Sequence, residues 1–201
     1  MGRSGREILA ALVEGTTDPG ILAQLARGRL RGKIPQLERA LAGHFGPHQR
    51  FMIGQQLAHL DFLEESIARL SAEIEERLRP FAEALAHLDQ ITGGGQPTAQ
   101  VMLAEIGGDM SRFPTDRHLA SWAGKCPGNR ESGGKRQSGR TRKGSPWLRA
   151  ALVEAAQAAG RSKDTYLAAQ YHRLASRRGK KRAAVAVGHS ILVTAYHLLK
   201  T

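Results

Sequence analysis

From Ile53 to Leu88, apolar side chains recur at steps of three and four: Ile53, Leu57, Leu60, Leu63, Ile67, Leu70, Ile74, Leu78, Phe81, Leu85 and Leu88. That spacing places them along one face of an α-helix. Charged residues such as Asp61, Glu64, Glu65, Glu73 and Arg77 fill the positions between, so a narrow apolar seam is flanked by charge, as in a coiled coil or a helical hairpin. Packing within the chain and pairing with a second copy fit this pattern equally. Pro80 lacks an amide hydrogen and should kink the helix near its end.

Shorter amphipathic segments precede it. Arg6 to Glu14 and Ile21 to Arg27 read as helices separated by Thr16-Thr17-Asp18-Pro19, where Asp18 or Thr17 can cap and Pro19 suits a first turn. Gln36 to Phe45 reads as a third, closed by Gly46-Pro47. Beyond the long helix the chain turns at Gly93-Gly94-Gly95, resumes as a helix to Ile106, and continues through helices near 116–123, 146–160, 163–176 and 182–199. No alternating strand pattern exceeds three or four residues. The expected fold is all-α: linker helices over 1–46, a coiled-coil-like helix over 47–89, and a helical domain over 90–201.

Charge divides the chain. Residues 1–117 hold 13 Lys/Arg against 15 Asp/Glu, whereas 118–201 hold 17 against 3, so the net +12 belongs wholly to the C-terminal part. A surface of that charge collects polyanions such as nucleic acid. Cys126 is the only cysteine, which excludes an internal disulfide and a Cys-based zinc site and fits a reducing compartment. With no signal-peptide pattern and no uninterrupted apolar run of eighteen residues, the expectation is a cytoplasmic protein without a membrane partner. Aromatic residues make up 5%, so nucleic-acid binding should lean on phosphate contacts more than on base stacking.

Three constellations could carry chemistry. The turn at Gly93-Gly94-Gly95, followed by Gln96-Pro97-Thr98-Ala99, resembles a helix-hairpin-helix. In that motif, glycines such as Gly93 and Gly95 bring backbone amides to a DNA phosphate at a helix start. The alternative is a plain interhelical turn. The second constellation is the glycine-rich loop from Gly124 to Pro146, where Lys125, Arg130, Lys135, Arg136, Arg140, Arg142 and Lys143 oppose a single acid, Glu131. Its far end is a capped helix start, Ser145-Pro146, with Arg149 one turn on, which favours anion binding over a solvated linker. Ser132 sits in this loop beside Glu131 and Gly133-Gly134. A serine hydroxyl needs a base or metal to attack a phosphodiester, and cations to stabilise the charge that develops. The cations are present, the activator is not evident, and most loop serines are turn or cap residues. The third is Arg173 with Arg177-Arg178-Gly179-Lys180-Lys181-Arg182, a basic turn between the last two helices that either binds phosphates or solvates a hairpin tip. No histidine spacing suits a metal site, and none is assigned.

Arg112-Phe113-Pro114-Thr115, Leu119-Ala120-Ser121-Trp122-Ala123-Gly124, Pro127 to Arg136, and Arg142-Lys143-Gly144 to Trp147-Leu148-Arg149 together resemble the C-terminal domain of insertion-sequence transposases of the Piv/MooV type, the IS-one-ten family. Residues 4–39 are similar to that family's linker and residues 171–199 to its tail. The resemblance implies DNA transposition, with Ser132 as the nucleophile of a covalent phosphoserine intermediate. It implies DNA as partner, a guide-type structured RNA as a further one, and assembly of copies through the long helix. The family's N-terminal RuvC-like domain, whose DEDD carboxylates are expected to hold Mg²⁺, has no counterpart in this sequence, so no cofactor is expected in this chain and it should not cut DNA alone. Two other readings stay open: a non-catalytic nucleic-acid-binding module that clamps phosphates with the glycine hairpin and basic loop, and a coiled-coil assembly protein whose basic tail is incidental.

Overall fold

The computed structural model describes residues 2–128, 130–139 and 141–200. The expected all-α class holds: helices dominate, and the described strands form one short hairpin. The chain divides into two compact units, Met1–Glu76 and Arg77–Thr201.

In the first unit, α1 (Arg3–Glu14) and α2 (Pro19–Gln24) are joined by a turn in which the Asp18 carboxylate accepts from the amides of Gly20 at 2.8 Å and Ile21 at 3.0 Å. This is the cap expected where Pro19 opens a helix. A 3₁₀ segment over Gly28–Lys33 leads into α3 (Ile34–Leu41). Ile8, Leu12 and Leu22 make a small core, with Leu41 and Phe45 against it. The long α4 (Pro47–Leu78) follows. Arg6 of α1 forms ion pairs with Asp61 and with Glu64 of α4, the latter at 2.6 Å. No residue of α4 is buried; Leu60, Leu63, Ile67, Leu70 and Ile74, the seam read from the sequence, are all exposed.

The helix does not run unbroken to Leu88. A 3₁₀ turn over Arg79–Phe81 interrupts it at Pro80, where the missing amide and the ring cannot be fitted into an α-helical ladder. A separate α5 (Ala82–Asp89) begins beyond the turn. Residues 77–89 accordingly pack with the second unit, through Leu78, Leu85 and Leu88.

That unit contains α6 (Gly95–Ile106), a 3₁₀ turn over Met110–Arg112, α7 (Asp116–Trp122), strands β1 (Arg130–Ser132) and β2 (Lys135–Ser138), α8 (Pro146–Ala159), α9 (Tyr166–Arg178) and α10 (Lys180–Lys200). Its core is organised about α10, which buries Val187, Ile191, Leu192, Ala195 and Tyr196 against α5, α7, α8 and α9. By length and composition α10 could cross a membrane; here its apolar face is the centre of a helical core. The Tyr196 hydroxyl lies 3.0 Å from the Phe113 carbonyl and 3.2 Å from that of Pro114, fixing the end of α10 to the segment before α7. The exposed Trp122 tilts over the buried Phe113 with ring centroids 5.5 Å apart, a contact that covers this corner of the core.

Candidate nucleic-acid interface

The basic loop is held at its base by backbone contact. At the end of α7 the Lys125 amide donates to the Ala120 carbonyl at 2.9 Å and the Gly124 amide to that of Ser121 at 3.1 Å. With φ of 63° at Gly124, these bonds form a Schellman cap, which glycine adopts without the cost a Cβ imposes. The returning chain crosses here. A Cβ on Gly124 would sit 2.7 Å from the Arg142 carbonyl oxygen, and one on Gly144 would sit 2.2 Å from that of Ala123. Pro127 and Thr141 then pair as an isolated antiparallel bridge. Immediately past the crossing, the Ser145 hydroxyl accepts from the Leu148 amide at 3.2 Å and Pro146 opens α8, as the sequence suggested. The loop is thus a projection with a tight neck.

Beyond the neck, β1 and β2 pair antiparallel, Ser132 opposite Lys135 and Glu131 opposite Arg136, with a bulge between Arg130 and Glu131. The connection is Gly133-Gly134, with φ of 58° and 73°. Positive φ at both positions matches the twist that a two-residue hairpin needs. Glu131, Ser132 and Lys135 are exposed, so the hairpin presents its serine to solvent with a lysine directly across the ladder.

The expected binding residues fall into distinct environments. Lys135, Arg142, Lys143 and Arg149 are exposed around the hairpin and its neck. Arg130 and Arg136 occupy ladder positions on β1 and β2. Arg140 lies outside the described residues. Gly95 is exposed at the start of α6. Gly93 faces the protein, since a Cβ there would fall 2.3 Å from the Ala155 carbonyl oxygen and 2.5 Å from the Ala159 amide nitrogen of α8. Its lack of a side chain lets the α5–α6 turn approach α8, a packing reason for the glycine that the turn sequence did not disclose.

Lys125 differs from the other cations. It is 4% exposed, and its Nζ has no hydrogen-bond partner. Burial, reinforced by the nearby Arg149 guanidinium, pushes its pKa down from 10.5 to about 8, because a charged amine loses hydration there without gaining a counter-ion. It lines a groove of about 900 Å³ shared with Arg178 of α9 and Lys181, Arg182 and His189 of α10. The sequence marked the Arg177–Arg182 turn as basic but gave no sign that it meets Lys125. The one available clue was the run of arginines and lysines at a helix–helix turn, which carries no information about its spatial neighbour.

Residues 85–173 match the family model described as Transposase IS116/IS110/IS902 family. This stretch is similar to transposases of that family. The matched region, somewhat under half of the chain, runs from α5 into α9 and contains the triple-glycine turn, the hairpin with Ser132 and the capped start of α8. It agrees with the resemblance read from the sequence and supports a role connected with transposition. A comparison with curated proteins finds no match.

Among the described residues, no group of three His, Cys, Asp or Glu side chains is close enough to hold a metal ion. The Mg²⁺ that the resemblance implies therefore does not fit the residues described, and no chemical step is routed through it. What the region offers is a projecting serine, a set of exposed cations and a separate basic groove.

Proposed function

We propose that this chain is the DNA-binding, serine-bearing C-terminal part of a transposase, acting in strand exchange. The observation that carries the reading is the exposed Ser132 on a hairpin whose narrow neck is set by Gly124 and Gly144. Such a hairpin can enter a DNA groove or a partner's active site while its base stays fixed to the helical core. Lys135 across the ladder and the exposed Arg142 and Lys143 at the neck supply charge to neutralise the phosphates that flank the reacting one. Trp147, 73% exposed at the start of α8, offers a face on which an unpaired base can stack.

In the proposed step, Ser132 Oγ attacks the phosphorus of a phosphodiester. A P–O bond to one deoxyribose breaks, the serine proton is accepted by a base, and the departing sugar oxygen takes up a proton. The base that accepts the serine proton comes from outside the described site, in keeping with the acidic domain that the resemblance implies. The exposed seam of α4, with Leu60, Leu63, Ile67, Leu70 and Ile74 at steps of three and four, is a surface through which two copies would assemble as a coiled coil. A structured guide RNA fits the same basic surface and is part of the proposal by resemblance alone.

A second reading, a non-catalytic nucleic-acid clamp, draws support from the exposed cations Lys135, Arg142, Lys143 and Arg149 around the hairpin and its neck. Ser132→Ala separates the two. Assayed together with the carboxylate-bearing domain, the variant should lose strand exchange entirely while its DNA affinity stays within a few-fold of the parent. Unchanged exchange would reject the catalytic role and leave the clamp.

A further inference from the structure

The groove beside α10 is built differently from the hairpin, and its composition is one-sided. Lys125 lies at its floor, Arg178, Lys181 and Arg182 at its rim, and His189 on its wall, and no Asp or Glu lines it among the described residues. Lys125 is 4% exposed, and its buried ammonium carries three N–H donors with no acceptor among the described residues. A protein that leaves a buried cation unpaired sacrifices stability at that point unless a ligand completes it. Gly188 of α10 leaves the space that the lysine tip occupies. A Cβ there would stand 3.2 Å from Lys125 Nζ and 3.0 Å from the Leu152 carbonyl oxygen.

The groove also contains an unmet acceptor. The Gln170 amide nitrogen donates to Ser190 Oγ at 3.0 Å, while its Oε1 is buried without a partner. A bare anion would satisfy the lysine and leave this oxygen unpaired; a nucleotide brings both an anionic phosphate and N–H donors on its base. The volume of about 900 Å³ is in the range of sites that hold ligands of nucleotide size.

We propose that this groove is a socket for one nucleotide of a nucleic-acid strand, its phosphate held by Lys125, Arg178, Lys181 and Arg182 and its base edge facing Gln170. The proposal rests on the reading of the chain as a nucleic-acid-binding protein and names a site on it separate from the Ser132 hairpin. The phosphate is the counter-ion that Lys125 lacks. Binding raises the pKa of that amine, so affinity should fall as pH rises above about 8. The groups around the amine are Arg149 from α8, Arg178 from α9, and Lys181, Arg182 and His189 from α10. Arginine, lysine and histidine side chains offer no negative charge, so none of them becomes a counter-ion as pH rises.

The test compares the full chain with Lys125→Met, which keeps an unbranched side chain one atom shorter and without charge, and with Arg182→Ala at the exposed rim. Two probes are used, inorganic phosphate and a single-stranded DNA oligonucleotide, each read by its effect on Tm and by direct titration. Both variants should bind the oligonucleotide roughly tenfold more weakly at 0.15 M salt, and Lys125→Met should no longer gain Tm from millimolar phosphate. If Lys125→Met lost the phosphate response but bound the oligonucleotide within twofold, the groove would be a free-anion site and the strand assignment would be overturned. If both probes bound both variants as they bind the parent, the socket itself would be overturned. Failure of the parent chain to bind any oligonucleotide would refute the nucleic-acid reading instead, and the phosphate arm would still report on the groove.

Discussion

The hairpin and the groove lie in the same unit and are both basic, yet they hold their charge in opposite ways. Lys135 and Lys143 stand in solvent, where hydration stabilises the ammonium and each contact with a phosphate gains little beyond the release of counter-ions. Lys125 has surrendered that hydration and gained no partner. The first arrangement costs the fold almost nothing and gives affinity that salt erodes. The second costs the fold stability and yields a site that a specific anion can repay. A basic sequence therefore does not define one kind of binding surface; burial decides which kind each lysine serves.

The contrast can be broken most forcefully at the neck that joins the two regions. Gly144→Ala places a Cβ 2.2 Å from a backbone oxygen, an overlap that no rotamer relieves, and should cost about 3 kcal/mol or more. Gly139→Ala meets nothing within 4 Å and should stay within about 0.5 kcal/mol of the parent. Urea denaturation of the two variants checks this, and equal stabilities would refute the crossing.

Lys125→Met sharpens the comparison in the other direction. A lysine whose pKa falls from 10.5 to about 8 on folding releases its proton more readily in the folded state, so the unfolded chain binds more protons between those values. Stability contributed by this group therefore rises with pH from about 8 to 10.5, and at pH 7 the whole penalty is present. The shift corresponds to roughly 3 kcal/mol, and solvent entering from the groove reduces this to about 1–2 kcal/mol. Lys125→Met should be more stable than the parent by that amount at pH 7, with the gap narrowing as pH passes through 8 to 10 in thermal melts. A less stable variant at pH 7 would show that the lysine has a structural partner.

The smallest effects belong to the exposed cations. Lys135→Ala and Lys143→Ala should leave stability unchanged and should each lower the slope of log affinity for duplex DNA against log salt by about 0.9. A loss of affinity that did not depend on salt would contradict their assignment as solvated phosphate contacts.

Much of this arrangement was legible in the residues. The steps of three and four marked the seam of α4, Asp18-Pro19 and Ser145-Pro146 marked helix starts, and Pro80 marked the break before α5, because each depends on chemistry within one or two turns of chain. The hairpin was harder to see. Arg130–Ser132 and Lys135–Ser138 are polar throughout, so no alternation of apolar and polar positions betrays a strand, and only Gly133-Gly134 signals a tight turn. The groove was not legible at all. Lys125, Gln170, Gly188 and the Arg178–Arg182 turn are brought together by the packing of α8, α9 and α10, and neither the burial of Lys125 nor the reason for Gly93 can be inferred without that packing.

The most direct test of the account is to find where DNA is joined to the protein. Strand exchange reconstituted with the carboxylate-bearing domain is quenched by denaturation, digested with protease and nuclease, and analysed by mass spectrometry. The expected product is a nucleotide linked through phosphate to the peptide carrying Ser132. A linkage at another residue, or exchange that proceeds with no covalent protein–DNA intermediate, would contradict it.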